Sequence, residues 1–248
     1  MNTLEDDGVE FPLGHFFPVA SDNHDDSDLL LPAPAPPIHA EIIRIDFETQ
    51  THQTIALSLS VDAGPGCGGI AWPAGEVLAS YISRRGSTLE GLNVLELGSG
   101  TGLVGLVAGY LGARVCITDQ APLIPIMERN ISLNGLQSHV TATELDWAKP
   151  LPELLQLPDI VLAADCIYLE ATFPLLVSTL VALVPQPPGR APEVLLSYKK
   201  RRKADKRFFA LLKTHFTWSS LVDDDVDDRA QERHDRGGIT LLRLFRRP

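Results

Sequence analysis

From residue 92 onward, short apolar runs alternate with stretches whose apolar residues recur at helical spacing. The runs NVLEL (93–97), ARVCIT (113–118), VTATEL (140–145), DIVLAA (159–164) and EVLLSY (193–198) predict strands, and TWSSLV (217–222) and ITLLRLF (239–245) predict a late pair. Between them, Leu103, Leu106, Val107, Tyr110 and Leu111 mark one helix. Phe173, Leu176, Val177, Leu180 and Val184 mark a second, and Phe208, Leu211, Leu212 and Phe216 a third. Strands that are apolar throughout are buried on both faces. The alternation therefore predicts an α/β fold, a parallel sheet with helices on both sides. Such sheets bind ligands beyond the C-terminal strand ends, where the strand order reverses.

Upstream, EIIRIDFE (41–48) and TIALSLSV (54–61) read as a hairpin, followed by the glycine-rich turn GPGCGG (64–69). Ala74, Val77, Leu78, Tyr81 and Ile82 then mark an amphipathic helix over 71–84. Residues 1–39 read as a disordered arm, acidic in SDNHDDSD (21–28) and proline-rich in LPAPAPP (31–37), which leaves 40–248 as one folded domain.

Charge sharpens that division. The net charge is −11, but residues 1–30 carry eight acids and no Lys or Arg, leaving 24 acids against 21 bases in the rest. A near-neutral domain has no overall attraction to nucleic acid. No apolar run approaches the roughly 18 residues of a membrane span, and MNTLEDDGVEFPLG lacks the features of a secretory signal. Cys67, Cys116 and Cys166 are far apart and lack CxxC spacing, which argues against a disulfide framework or a zinc site. These readings predict a cytoplasmic protein with no metal.

The strongest local signal is VLELGSGTGLVGL (94–106), a buried strand running into Gly98, Gly100 and Gly102 and then a helix. Glycines permit a tight turn and close approach of a ligand to the backbone, and the helix start presents free amides. Gly100-Thr-Gly102-Leu-Val-Gly105 also fits the dinucleotide pattern. Against that, the turn starts directly after the strand at Gly98, and Glu96 stands two residues before it. An acid there suits a ligand bearing an ammonium group and opposes a pyrophosphate. Asp119, ending the second strand, suits ribose hydroxyls, or else caps a helix starting at Ala121 with Pro122 in its first turn. After the third strand, Asp146 offers an acceptor for adenine and Trp147 an aromatic wall, or else Trp147 packs in the core. Trp72, at a helix entrance, covers the pocket or staples the helix.

Together, Gly-Ile-Ala-Trp72-Pro, VLELGSGTGLVGL, Ile-Thr-Asp119, Asp146-Trp147 and Ala164-Asp165-Cys-Ile-Tyr168 resemble the seven-β-strand (class I) protein-lysine N-methyltransferases. That family modifies chaperones, the valosin-containing ATPase and translation elongation factors. The likeness covers roughly 40–245, and SYKKRRKADKRFF (197–209) looks most like the fungal elongation factor 1-alpha enzymes. The resemblance implies a Rossmann-like methyltransferase sheet of order 3-2-1-4-5-7-6, counting its own strands, with strand 7 antiparallel. It implies S-adenosylmethionine as cofactor, S-adenosylhomocysteine as product, and cofactor contacts at Trp72, Gly98, Ser99, Gly100, Asp119, Trp147 and Ala164. It places Asp165 and Tyr168 at the mouth of the methyl-transfer channel.

A lysine nucleophile must lose its proton, since its free pKa is ~10.4. Asp165 is expected to receive and orient the incoming ammonium, and Tyr168 to line the channel, with a helix cap near 170–184 as the alternative for Asp165. Base-flipping amine methyltransferases usually carry Asn/Asp-Pro-Pro-Tyr after strand 4; Asp165-Cys166-Ile167-Tyr168 lacks the prolines. The basic residues Lys199, Lys200, Arg201, Arg202, Lys203, Lys206 and Arg207 read as a docking surface for an acidic substrate face or as a solvated helix start. The expected partner is elongation factor 1-alpha, met by a monomeric enzyme. A small-molecule or nucleic-acid methyltransferase, an NAD oxidoreductase and a non-catalytic interaction module remain as alternatives.

Overall fold

A computed structural model describes residues 41–62, 66–152, 157–185, 191–200, 205–221 and 238–248. The expected arm at 1–39, Arg201–Lys203 of the basic run and most of the loop before 239 lie outside the described residues.

The described residues open with the hairpin β1 (Glu41–Glu48) and β2 (Thr54–Val61), paired antiparallel from Glu41↔Val61 to Glu48↔Thr54. Ile43, Ile45 and Phe47 face inward on β1, and Ile55, Leu57 and Leu59 on β2, so alternation gives the hairpin one apolar face. Helix α1 (Pro73–Ser83) follows, its first turn set by Pro73.

The main sheet contains β3 (Asn93–Leu97), β4 (Arg114–Asp119), β5 (Val140–Glu144), β6 (Ile160–Ala164), β7 (Glu193–Lys199), β8 (Phe216–Ser220) and β9 (Ile239–Arg246). Their order is β5-β4-β3-β6-β7-β9-β8. This is the expected 3-2-1-4-5-7-6 arrangement. β3 to β7 run parallel, and β9 lies antiparallel between β7 and β8. The intervening helices are α2 (Leu103–Tyr110), α3 (Ile124–Leu133), α4 (Phe173–Leu183) and α5 (Asp205–Leu212).

Two apolar layers sandwich the sheet. One joins α1, α2, α3 and the hairpin; the other joins α4 and α5 and includes Phe173, Phe208 and Phe216. α2 sits close on β4, because a Cβ at Gly105 would fall 2.2 Å from Ile117 Cγ2.

Two expectations need correction. Phe216 does not extend the third helix. Gly-free but polar residues at 213–215 form a turn, and Phe216 begins β8 with its ring fully buried. The helix after Asp119 does not start at Ala121 as an α-helix either. Ala121–Leu123 is a 3-10 turn, and Pro125 lies in the first turn of α3. Among the described residues no helix is long and apolar enough to cross a membrane.

Candidate active site

β3 and its neighbours β4 and β6 end at the point where the strand order reverses, and the glycine turn leaves β3 there. Gly98 and Gly100 have φ of +58° and +55°, a left-handed backbone that glycine adopts without cost. Both positions are also crowded. A Cβ at Gly98 would fall 3.0 Å from Cys166 Sγ and 3.2 Å from the Trp147 ring, and one at Gly100 would fall 2.6 Å from the Gly68 carbonyl oxygen.

The turn is tied to both adjoining strands. The Ser99 amide donates to the Thr118 carbonyl at 2.9 Å, and the Thr118 amide donates to Ser99 Oγ at 2.9 Å. Ser99 Oγ and Thr118 Oγ1 both donate to the Glu96 carbonyl, at 3.2 and 2.6 Å. Ser99 is thus fixed as part of the turn.

Asp119 closes the turn from β4. Its Oδ2 accepts the Gly100 amide at 2.8 Å and its Oδ1 the Gln120 amide at 2.7 Å. The carboxyl keeps some exposed surface, yet crowding by protein raises its pKa above the ordinary aspartate value, against the pull of those two amides. Asp119 does not cap the following helical turn, whose first flanking residue, Gln120, has no side-chain cap.

Glu96, expected beside a ligand ammonium, is held at the start of α2. It is 1% exposed, and Oε2 accepts the Gly105 amide at 2.9 Å, inside the first turn of α2. Burial pushes its carboxyl up to about 8, opposed by the Gly105 and Ser99 hydrogen bonds. The free amides at a helix start draw an acid, and in this fold they draw Glu96 under the loop.

The loop after β5 meets the turn from the other side. The Leu145 amide donates to the Asp119 carbonyl at 2.9 Å, and Trp147 packs both on the second apolar layer and over Gly98. The core-packing reading of Trp147 thus holds, with its ring beside the glycine turn. Asp146 turns toward its own loop: Oδ1 accepts the Ala148 amide at 2.9 Å, and Oδ2 stands 3.6 Å from Lys149 Nζ.

The segment after β6 carries the remaining residues. Asp165 has φ +57°, a left-handed conformation uncommon outside glycine but tolerated by Asp. Its amide donates to the Ser197 carbonyl at 2.8 Å, extending the β6–β7 pairing one residue past Ala164↔Ser197. Its Oδ1 faces the Lys199 amide at 3.4 Å. Cys166 and Ile167 are each 2% exposed and plug into the core, while Tyr168, three residues after Asp165, emerges with 52% of its surface exposed. Asp165 is no cap for α4, which begins eight residues later behind Thr172. The Cys166 thiol is pushed well up by burial first, then by the Asp119, Glu96 and Asp165 carboxylates.

Trp72 is half-buried at the N-cap of α1. A staple there would pair Ala71 with Glu76, so Trp72 is no staple. Two residues on, the Ala74 carbonyl accepts Ser197 Oγ at 2.8 Å, which brings the start of α1 against the strand that pairs with Ala164 and Asp165.

The profile of the lysine methyltransferase family matches residues 51–215. The chain belongs to this family. It is 44% identical over 195 residues to the protein-lysine N-methyltransferase EFM6 of Saccharomyces cerevisiae, covering 68% of this chain and 78% of the relative. It is 35% identical over 179 residues to the protein N-lysine methyltransferase METTL21A of Mus musculus, covering 69% and 80%. It is also 35% identical over 162 residues to the EEF1A lysine methyltransferase 3 of Mus musculus, covering 63% and 67%. The same fold occurs in a T. thermophilus 16S rRNA methyltransferase solved with AdoMet and guanosine (TM-score 0.55, 18% identity, 86% of this chain and 53% of that one).

This lysine methyltransferase is accordingly an S-adenosylmethionine-dependent enzyme, and the dinucleotide alternative is set aside. The fold brings Gly98, Ser99, Gly100, Asp119, Trp147, Ala164, Asp165 and Tyr168 to one end of the sheet. Sequence reasoning missed Asn130, which is fully buried on α3 and reaches the glycine loop. Its signal was present: with Met127 and Ile131, it occupies the apolar stripe of its helix.

Proposed function

We propose that the enzyme binds S-adenosylmethionine at the glycine turn and methylates a lysine of translation elongation factor 1-alpha. The observation that carries this reading is the glycine turn at the reversal of strand order, closed by Asp119 at the end of β4 and flanked by Asp165 just past β6. A negative field at the strand ends fits a cationic cofactor and a cationic side chain arriving from solvent. The Gly98 and Gly100 backbone gives the close approach, Asp119 accepts from the ribose, and Trp147 walls the adenine, with Asp146 available to its exocyclic amine. Trp72 and Ala164 border the opposite side. Glu96 acts from below, holding the loop through Gly105. When bound, the cofactor supplies an electrophilic methyl group on a sulfonium.

The chain's own residues then handle the lysine. Asp165 receives the ammonium and aims it, and the exposed Tyr168 ring lines its path. Desolvation there, together with a neighbouring positive charge, lowers the lysine pKa and frees the lone pair for in-line attack. The choice of elongation factor 1-alpha rests on the run 197–209 and on similarity to an enzyme named for that substrate.

The test is to incubate the purified enzyme and labelled S-adenosylmethionine with elongation factor 1-alpha, and separately with a cell extract. Label on a lysine of the elongation factor, and on the matching band of the extract, is expected. Label confined to other proteins or to small molecules overturns the substrate assignment.

A further inference from the structure

Among the described residues, β2 pairs with β1 along one edge only. Its other edge is met by two asparagines one turn apart, Asn130 within α3 and Asn134 at its C-terminal cap. Asn130 Oδ1 accepts the Ser60 amide at 2.6 Å, and its Nδ2 donates to the Ser60 carbonyl at 3.1 Å. Asn134 treats Ser58 the same way, at 2.9 and 2.8 Å. Alternate strand residues present N–H and C=O to the same edge, so each side-chain amide stands in for a peptide group of a missing strand. This satisfies a sheet edge that is otherwise buried under the helix.

The two clamps differ in one respect. Asn134 Nδ2 also donates to the Asn130 carbonyl at 2.7 Å, within its own helix. Asn130 Nδ2 instead donates at 2.9 Å to the carbonyl of Thr101, between Gly100 and Gly102 in the cofactor turn. Asn130, Ser60 and Thr101 are 0%, 1% and 2% exposed, so water does not compete for these bonds. A second link runs in parallel, since Gly68, just after β2, lies against Gly100.

We propose that Asn130 is a positioning residue for the cofactor: one amide holds both the hairpin and the glycine turn, so the turn's shape depends on the hairpin being docked. This rests on the reading that the turn binds S-adenosylmethionine. An element that orders two segments together couples them reciprocally, so ligand at the turn must also tighten the hairpin.

The experiment measures S-adenosylhomocysteine binding by calorimetry and thermal stability in the wild type, Asn130→Ala, Asn130→Ser and Asn134→Ala. Asn134→Ala serves as the control, since it removes one clamp but not the Thr101 link. Both positions are expected to lower stability. Only the Asn130 variants are expected to weaken binding, by about tenfold, the worth of one buried hydrogen bond. They should also raise the KM for S-adenosylmethionine more than they lower kcat. Hydrogen exchange on the wild type adds a reading that needs no variant: S-adenosylhomocysteine should slow exchange in 57–61 as well as in 98–106. Equal affinity losses at Asn130 and Asn134, or protection confined to 98–106, overturns the coupling. A wild-type protein that does not bind S-adenosylhomocysteine overturns the cofactor reading itself.

Discussion

Glu96 shows how far a single residue's role depends on its enclosure. An acid two positions before the glycine turn is legible as chemistry, but its direction is not, because the amides of α2 capture it only once the helix is packed. Its pKa, raised to about 8, fixes the sign of a pH effect. The folded state holds a proton that the unfolded chain releases near the ordinary glutamate value. This group's contribution to stability is therefore fully present below that value and is lost as pH rises toward 8. Glu96→Gln keeps an acceptor for Gly105 without the buried charge. The ligand-free variant should gain on the wild type by roughly a few kcal/mol between pH 5 and 8, read by denaturant unfolding. A difference independent of pH refutes the assignment. Asp165 invites a sharper substitution. Asn tolerates the left-handed backbone at φ +57° and removes only the charge. Asp165→Asn should lower kcat by about 100-fold, with S-adenosylhomocysteine affinity within a few-fold of wild type. Tyr168→Phe should lower kcat less, since it keeps the ring. Wild-type turnover in both variants would remove them from the channel.

At the scale of elements, periodicity carried most of the fold. The hairpin strands fall at 41–48 and 54–61 as read, and the β3 run at 93–97 does too. Those segments have one dominant pattern and a turn at each end. α3 was harder to read. Its inward stripe is broken by Asn130, and Asn134 follows a turn later; their value comes from strand residues 70 and 76 positions away. Phe216 failed for a related reason: its spacing from Phe208 and Leu212 fits a helix, but its ring serves β8. Asp165 and Tyr168 stand out only by resemblance, whereas their spacing follows from the two intervening side chains, which turn into the core. The glycine turn is likewise an element-level device, since 66–69 rests on it. Gly100→Ala would set a Cβ 2.6 Å from the Gly68 carbonyl oxygen and strain a φ of +55°. The variant should lose about 1–3 kcal/mol of stability and most of its cofactor affinity. Wild-type melting and wild-type S-adenosylhomocysteine binding would show that 66–69 does not constrain the turn.

The whole molecule separates its charges. Eight acids stand in residues 1–30, while the basic run 199–207 starts at the C-terminal end of β7. That end is also where the Lys199 amide faces Asp165, so the run begins at the rim of the proposed site. Lys200 and Lys206 are exposed, and Arg207 is engaged with Glu170 at 2.5 Å. A solvated helix start would leave kinetics indifferent to these charges. A docking surface would make association with an acidic protein face depend on ionic strength, because exposed charges are screened over about 8–10 Å at ordinary salt. Lys199→Gln, Lys200→Gln and Lys206→Gln combined remove three charges without breaking the Arg207–Glu170 pair. With the protein substrate at low salt, kcat/KM should fall by about tenfold, carried mainly by KM. The salt dependence of kcat/KM should flatten in parallel, while S-adenosylhomocysteine affinity stays put. An unchanged salt slope in the triple variant would assign the run to helix solvation. A loss in S-adenosylhomocysteine affinity would instead move the run from substrate docking to the cofactor side of the site.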